Sequence, residues 1–203
     1  MKTAVLATNN AHKAKEFQRA FAEYGIDIEL KTLKEIGFSK EIDENADTFE
    51  GNALIKAKTV CDYSGMMTIA DDSGLEVDFL DGEPGVYSAR YSGENATDGE
   101  NNEKLLENLS NVPYEKRKAH FVCTICVCRP DGKKLFVSGK CDGTILREPR
   151  GKGTFGYDPL FYYEPLKKTF AELDGKDKDG VSHRGKAIRE LLKHRDFLEG
   201  ENC

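Results

Sequence analysis

Asp71 and Asp72 follow the apolar run Met67-Thr68-Ile69-Ala70 directly and precede Ser73-Gly74. Adjacent carboxylates repel, so such a pair shares a cation or a proton, or both members point into water. A divalent metal ion meets the first condition, and a turn opened with Ser73-Gly74 meets the second. Three other segments carry groups suited to an anionic ligand. Thr8-Asn9-Asn10-Ala11-His12-Lys13 stands between a strand-like and a helix-like run, where free backbone N–H groups and the positive end of a helix dipole hold phosphate and Lys13 adds a point charge. It lacks the glycines and Lys-Ser/Thr of a Walker A loop, and ordinary N-capping explains it equally well. In Lys152-Gly153-Thr154-Phe155-Gly156-Tyr157-Asp158-Pro159, glycines beside two aromatic rings can leave a ring face open to a base; alternatively, the rings pack into the core. Ser182-His183-Arg184 puts two donors into a first helical turn, where the dipole favours anions. Facing a ligand, Arg184 donates to phosphate or a carbonyl, and His183 donates through one ring nitrogen. The acidic stretch Glu41–Asp47, with Asp43 and Glu44, supplies either a further metal ligand or a solvated loop.

Patterning predicts the elements that position these groups. Thr3–Thr8 reads as a buried strand, and Ala14, Phe17, Ala20, Phe21 and Tyr24 recur at helical spacing up to Gly25. A strand over Ile28–Thr32 precedes a helix over Thr48–Ser64 that turns Phe49, Ala53, Ala57, Val60 and Cys61 inward and ends at Gly65. Met67–Asp71 forms a strand, and the alternating Leu75–Phe79, ahead of Asp81-Gly82, suggests its hairpin partner. Helix returns over Thr97–Leu109. Strands Ala119–Arg129 and Lys134–Lys140 flank the turn signal Pro130-Asp131-Gly132-Lys133, with Gly143–Leu146 extending the sheet. Leu160–Tyr163 and Phe170–Leu173 read as short strands, and Ser182 can cap a final helix carrying Ala187, Ile188, Leu191 and Leu192 inward. Hairpins and helical crossovers together mean α/β with a mixed sheet.

The 203 residues, 38% hydrophobic and 33% charged, suffice for one core, and neither a repeat nor a linker divides them, so residues 1–203 are expected to fold as one unit. A net charge of -6 opposes broad attachment to nucleic acid or anionic membrane. No apolar run approaches the roughly 20 residues that span a bilayer. Cys123-Thr-Ile-Cys126 is formally C-x-x-C, but it lies in a strand-like run where cysteine acts as a small apolar residue. Reduced thiols and the lack of a signal peptide pattern point to the cytoplasm.

Taken in order, Ala7-Thr-Asn-Asn-Ala-His-Lys13, Phe49-Glu-Gly-Asn-Ala53, Ala70-Asp-Asp-Ser-Gly-Leu75, Pro84-Gly-Val-Tyr-Ser-Ala-Arg-Tyr-Ser-Gly93, Phe155-Gly-Tyr-Asp-Pro159 and Ser182-His-Arg-Gly185 resemble the inosine triphosphate pyrophosphatase family, the non-canonical purine NTP pyrophosphatases. The resemblance covers nearly the whole chain. It implies an elongated mixed β-sheet flanked by helices, two lobes with a central nucleotide cleft, a homodimer, and magnesium-dependent hydrolysis of ITP, dITP or XTP to the monophosphate and pyrophosphate. By similarity, Thr8, Asn9, Asn10, Ala11, His12 and Lys13 contact the triphosphate, Asp72 is the catalytic carboxylate and a metal ligand, and Ser73 contacts substrate. Phe155, Gly156, Tyr157, Asp158, Lys178, His183 and Arg184 form the base-side and phosphate-side pocket, and either Asp43 or Glu44 is the second metal ligand. Two departures stand out: His12 replaces a common glycine, and Asp43-Glu44-Asn45-Ala46 replaces an acidic pair followed by Thr-Gly.

The residues suit that chemistry. Attack on the α-phosphorus needs neutralised phosphate oxygens, a positioned water and a stabilised leaving group. Asp72 or Asp71 can orient or deprotonate the water. Donors on His183 and Arg184 satisfy a 6-oxo purine, whereas the 6-amino group of adenine meets a second donor. Competing readings are a Maf-like pyrophosphatase for pyrimidine or modified nucleotides, and a nucleotide sensor without turnover.

Overall fold

The computed structural model describes residues 2–152 and 155–200, so Gly153 and Thr154 of the aromatic loop and the sixth cysteine, Cys203, lie outside the described residues. Seven strands form one mixed, open sheet in the order β2-β1-β3-β4-β5-β6-β7, flanked by helices. The chain divides into two compact units. The first comprises the segment ending at Asp72, Cys123–Gly139, and the segment starting at Arg184; the second comprises Ser73–Val122 and Lys140–His183.

In the first unit, β1 (Lys2–Leu6) lies parallel between β2 (Ile28–Thr32) and β3 (Met67–Val77). Parallel neighbours need crossovers, supplied by α1 (Ala11–Glu23) and α2 (Phe49–Ser64). Asn10 caps α1 by accepting from the N–H groups of His12 (2.9 Å) and Lys13 (3.2 Å). Thr48 caps α2, which ends at Gly65 in the left-handed region, φ 64°. Side chains alternate across a strand, so Ala4, Leu6 and Ile69 pack with Phe17 and Phe21 of α1 and with Ile188 and Leu191 of α5 (His183–Leu191). Val5, Ala7 and Ala70 face the other way, against Ala53, Ala57 and Val60 of α2. Continuing that alternation sends Asp71 to the α1–α5 side and Asp72 to the α2 side. Strands β4 (Lys118–Cys128) and β5 (Lys134–Ile145) meet at a turn closed by Arg129 N–H donating to the Lys133 carbonyl at 2.9 Å. Cys123 and Cys126 fall on opposite faces of β4, each buried in apolar packing.

The second unit adds α3 (Asp98–Asn108), the antiparallel β6 (Phe161–Tyr163) and β7 (Lys168–Thr169), and α4 (Gly175–Val181). Leu75, Leu105, Leu109, Phe121, Ile145, Phe161 and Phe170 form its core. Buried within it, Arg117 donates to the carbonyls of Ile145 (2.8 Å), Leu109 (2.6 Å) and Leu146 (2.7 Å), tying the end of α3 to β5. Gly143 lets β5 run unbroken to Ile145, because a Cβ there would sit 2.5 Å from the Phe161 ring.

Four expectations are corrected. β3 does not end at Asp71: it continues through Ser73-Gly74 to Val77, so the Asp pair lies inside a strand rather than opening a turn, and Leu75–Phe79 is no hairpin partner. Ser88 Oγ accepts from Leu75 N–H at 2.9 Å and steadies that continuation. Phe170–Glu172 is a 3-10 turn rather than a strand, because Thr169 and Glu172 form a capping box that bends the chain. Ser182 stands directly before α5, where the sequence places a cap, and also ends α4, its N–H donating to the Lys178 carbonyl at 2.8 Å; α5 itself is followed by α6 (Arg195–Glu199) rather than ending the fold. Among the described residues, no helix is long and apolar enough to cross a membrane.

Candidate active site

The two adjacent carboxylates have separate environments. Asp71 is buried, and its Oδ2 accepts from Lys13 Nζ (2.9 Å) and Arg184 Nε (3.2 Å); Arg184 Nη1 also reaches Glu16 Oε2 at 2.8 Å. Burial alone would push the Asp71 carboxyl up, but Lys13 and Arg184 outweigh it and hold the group well below the usual carboxylate range. Its Oδ1 is buried without a hydrogen-bond partner among the described residues. Asp71 is thus an ion-paired anchor whose charge is spent on two cations, which makes it a poor proton acceptor.

Asp72 faces α2. Lys56 Nζ lies 3.2 Å from its Oδ1, and Asn52 Nδ2 donates to its Oδ2 at 3.2 Å. The same ammonium reaches Glu44 Oε2 at 2.5 Å, so one buried lysine bridges two carboxylates. Burial raises the Asp72 carboxyl above its ordinary value, the Glu44 charge adds to this, and Lys56 and Lys13 act against it. Lys56 stays charged: burial opposes its charge, but Asp72 and Glu44 overcome that and raise its pKa. Asn52 Oδ1 accepts from Ala46 N–H at 2.9 Å, fixing the acidic segment against α2. This choice of backbone path brings Glu44 to the site. Asp43 is exposed and accepts from Asn45 Nδ2 at 3.1 Å instead.

The other sequence-derived candidates are placed as follows. Thr8 Oγ1 accepts from Asn10 N–H at 3.1 Å, while Asn9, Ala11 and His12 are exposed around the start of α1. The Asn10 side chain engages the N–H groups of His12 and Lys13, so capping is realised there, and the Lys13 ammonium joins Asp71. Arg184 is buried with its guanidinium on Asp71 and Glu16. In the second unit, Ser73 is half-buried in β3. Gly156 adopts φ 52°, its N–H donates to Asp98 Oδ2 (2.7 Å) and its carbonyl accepts from Asn102 (2.9 Å), so α3 holds the aromatic loop. Phe155 is half-buried with the Lys178 ammonium 5.3 Å from its ring centre, and Lys178 also pairs with the buried Asp158. The Tyr157 ring lies in the core and its hydroxyl donates to the Ser88 carbonyl at 2.9 Å. His183 is buried flat against Phe121, ring centres 4.7 Å apart.

Three residues of the site were assigned no role from the sequence: Asn52, which lies in the segment Phe49–Ala53 noted above, Lys56 and Glu16. For the first two a signal existed. Positions 49, 52, 53, 56, 57 and 60 make one helical stripe, and polar Asn52 and Lys56 interrupt its apolar members. Such a charge on an inward face demands a partner. Glu16 carried no comparable mark.

Asp72 and Glu44 are hard oxygen donors of the kind magnesium takes. Among the described residues, no three His, Cys, Asp or Glu side chains converge on a point. Two carboxylates suit an ion that completes its shell with substrate phosphates and water.

Known proteins resemble the chain over nearly its whole length. The model of the Ham1 family matches residues 4–194. The chain is 51% identical over 191 residues to a dITP/XTP pyrophosphatase of Lactobacillus acidophilus, covering 93% of this chain and 95% of that one. It is 46% identical over 193 residues to one of Bacillus cereus, covering 94% and 93%. It is also similar to the solved structure of the Staphylococcus aureus Ham1 protein, with TM-score 0.86, 41% identity, and coverage of 99% of this chain and 100% of that one.

Proposed function

The chain belongs to the Ham1 family, and from that premise we propose that it hydrolyses the non-canonical purine triphosphates dITP, ITP and XTP to monophosphate and pyrophosphate, clearing them from the nucleotide pool. The names of its relatives support the substrate class, and the Glu44–Lys56–Asp72 bridge is the observation that carries the chemistry. Of the two adjacent carboxylates, Asp72 is the one available to orient or deprotonate a water for attack on the α-phosphorus, since Asp71 is locked between Lys13 and Arg184. Lys56 supplies a fixed positive charge beside that carboxylate, and Asn52 holds its second oxygen.

Asp72 and Glu44 would hold magnesium, which, when bound, neutralises phosphate oxygens and stabilises the pyrophosphate leaving group. On the base side we assign Phe155 a stacking role and His183 a donor role toward the 6-oxo group, which ITP and XTP carry and ATP lacks. Cytoplasmic residence fits the buried thiols of Cys61, Cys123, Cys126, Cys128 and Cys141, none of them in a disulfide, and we propose a homodimer as the working assembly by similarity to the family.

The test is hydrolysis of ITP, dITP, XTP, GTP, ATP and UTP with magnesium, with products separated. Release of pyrophosphate from the first three, with ATP and UTP slow, is expected. Comparable rates for ATP and ITP would remove the 6-oxo selection, and preference for UTP would favour a Maf-like enzyme. ITP bound without turnover would make the protein a sensor.

A further inference from the structure

Two polar side chains of α3 close on one residue of the aromatic loop. Asp98 and Asn102 are related as i and i+4, so they lie one above the other on the same helical face. Asp98 Oδ2 accepts from the Gly156 N–H at 2.7 Å, and Asn102 Nδ2 donates to the Gly156 carbonyl at 2.9 Å. Both backbone groups of one residue, 58 and 54 positions away along the chain, are thereby held from a single helix. Gly156 sits inside the turn that the Asp158 N–H closes on the Phe155 carbonyl at 3.2 Å. It adopts φ 52°, although an added Cβ would meet nothing within 4 Å. Glycine is therefore demanded by the backbone conformation and not by space, and the α3 clamp fixes the turn from which the Phe155 ring projects.

Stability alone does not account for this pair. Asp98 is exposed, where water competes for its hydrogen bond, and the Asn102 amide oxygen is buried without a hydrogen-bond partner among the described residues, which costs free energy. Its neighbour Asn101 shows the satisfied alternative: it donates to the Ala89 carbonyl at 3.1 Å and accepts from the Ser92 N–H at 2.7 Å. An incomplete polar group of this kind is a local cost carried where function sets the geometry. We propose that Asp98 and Asn102 are positioning residues for base recognition, aiming the Phe155 ring at the purine without touching the reacting phosphate, a role that rests on the stacking assigned to Phe155 above. Asp98 also has a structural use, since a carboxylate in the first turn of α3 favours the helix dipole. Asn at this position separates the two, because its amide oxygen still accepts from Gly156 N–H while the charge is gone.

The test is calorimetric binding, with magnesium present, of two ligands to the full chain: inosine monophosphate, which carries a base, and pyrophosphate, which does not. Asp98→Ala and Asn102→Ala should weaken the monophosphate about tenfold, within what loss of one base–aromatic stack costs, and leave pyrophosphate within about twofold. Asp98→Asn should bind both ligands like the parent. Phe155→Ala should weaken the monophosphate by itself, and adding Asp98→Ala to it should weaken binding no further, because a residue that acts through the ring has nothing left to position. Thermal melting reports that each variant folds. Equal weakening of the two ligands, Asp98→Asn as weak as Asp98→Ala, or additive losses in the double variant would mean that α3 acts only on general stability and would overturn the proposal. If Phe155→Ala weakens the monophosphate and the α3 variants do not, stacking stands and the α3 role alone falls. If Phe155→Ala binds it normally, or the parent does not bind it, the stacking reading falls and the α3 role with it.

Discussion

Replacing Asp71 by Asn keeps the side-chain shape and removes the charge on which Lys13 and Arg184 converge at 2.9 and 3.2 Å. Breaking a buried ion pair from one side costs about 3–5 kcal/mol, because the other charge is left uncompensated. Arg184 keeps Glu16 at 2.8 Å, and the Lys13 side chain is 16% exposed and can reach water, so the lower end applies, about 3 kcal/mol. In a chain of this length each kcal/mol moves Tm by about 2–4 °C, giving a drop of about 6–12 °C by calorimetry. Asp72→Asn should behave oppositely. Burial disfavours the Asp72 charge, so the variant melts no lower than the parent, while kcat for ITP falls at least about a hundredfold through loss of the water-orienting carboxylate. An Asp71→Asn protein with unchanged Tm, or an Asp72→Asn protein that loses stability and keeps its turnover, would refute the division of labour between the two residues.

Other consequences follow from particular contacts. Lys56→Met should reduce kcat at least about a hundredfold by leaving Glu44 and Asp72 without their shared cation, measured as pyrophosphate release from ITP. Arg117→Met strands three buried carbonyls and should cost about 3–5 kcal/mol in urea unfolding. Gly143→Ala forces a Cβ against the Phe161 ring and should cost about 1–3 kcal/mol in the same assay. Thr97→Ala removes the α3 cap, at about 1 kcal/mol. The Thr97 backbone N–H holds the exposed Glu100 carboxyl below its ordinary value, so its contribution is present above the ordinary carboxylate pKa and fades as pH falls through the lowered one; urea midpoints of wild type and Glu100→Gln should therefore converge in acid.

Elements with strong local punctuation were legible in the sequence. Thr48 and Gly65 bound α2, Ile28–Thr32 is β2, and the turn after Cys128 joins β4 to β5 as its Pro-Asp-Gly composition requires. Legibility failed where tertiary partners decide. Ser73-Gly74 reads as a turn in isolation, yet β3 passes through it because Lys13 and Arg184 satisfy one Asp and Lys56 the other. Asp72 was marked by its chemistry and Glu44 stayed level with Asp43, because only the fold of the acidic segment, held by Asn52 on Ala46, brings Glu44 rather than Asp43 beside Lys56. Arg184 stood out for opposing the helix dipole, and its pairing with the buried carboxylates of Asp71 and Glu16 could not be read from the sequence.

In the proposed reaction Asp72 directs water to the α-phosphorus of a non-canonical purine triphosphate. Hydrolysis of ITP in ¹⁸O-labelled water, with mass analysis of both products, tests it most directly. Label should appear in the nucleoside monophosphate and not in pyrophosphate, and Asp72→Asn should give no product above background. Label in the pyrophosphate, or release of orthophosphate with a nucleoside diphosphate, would contradict it.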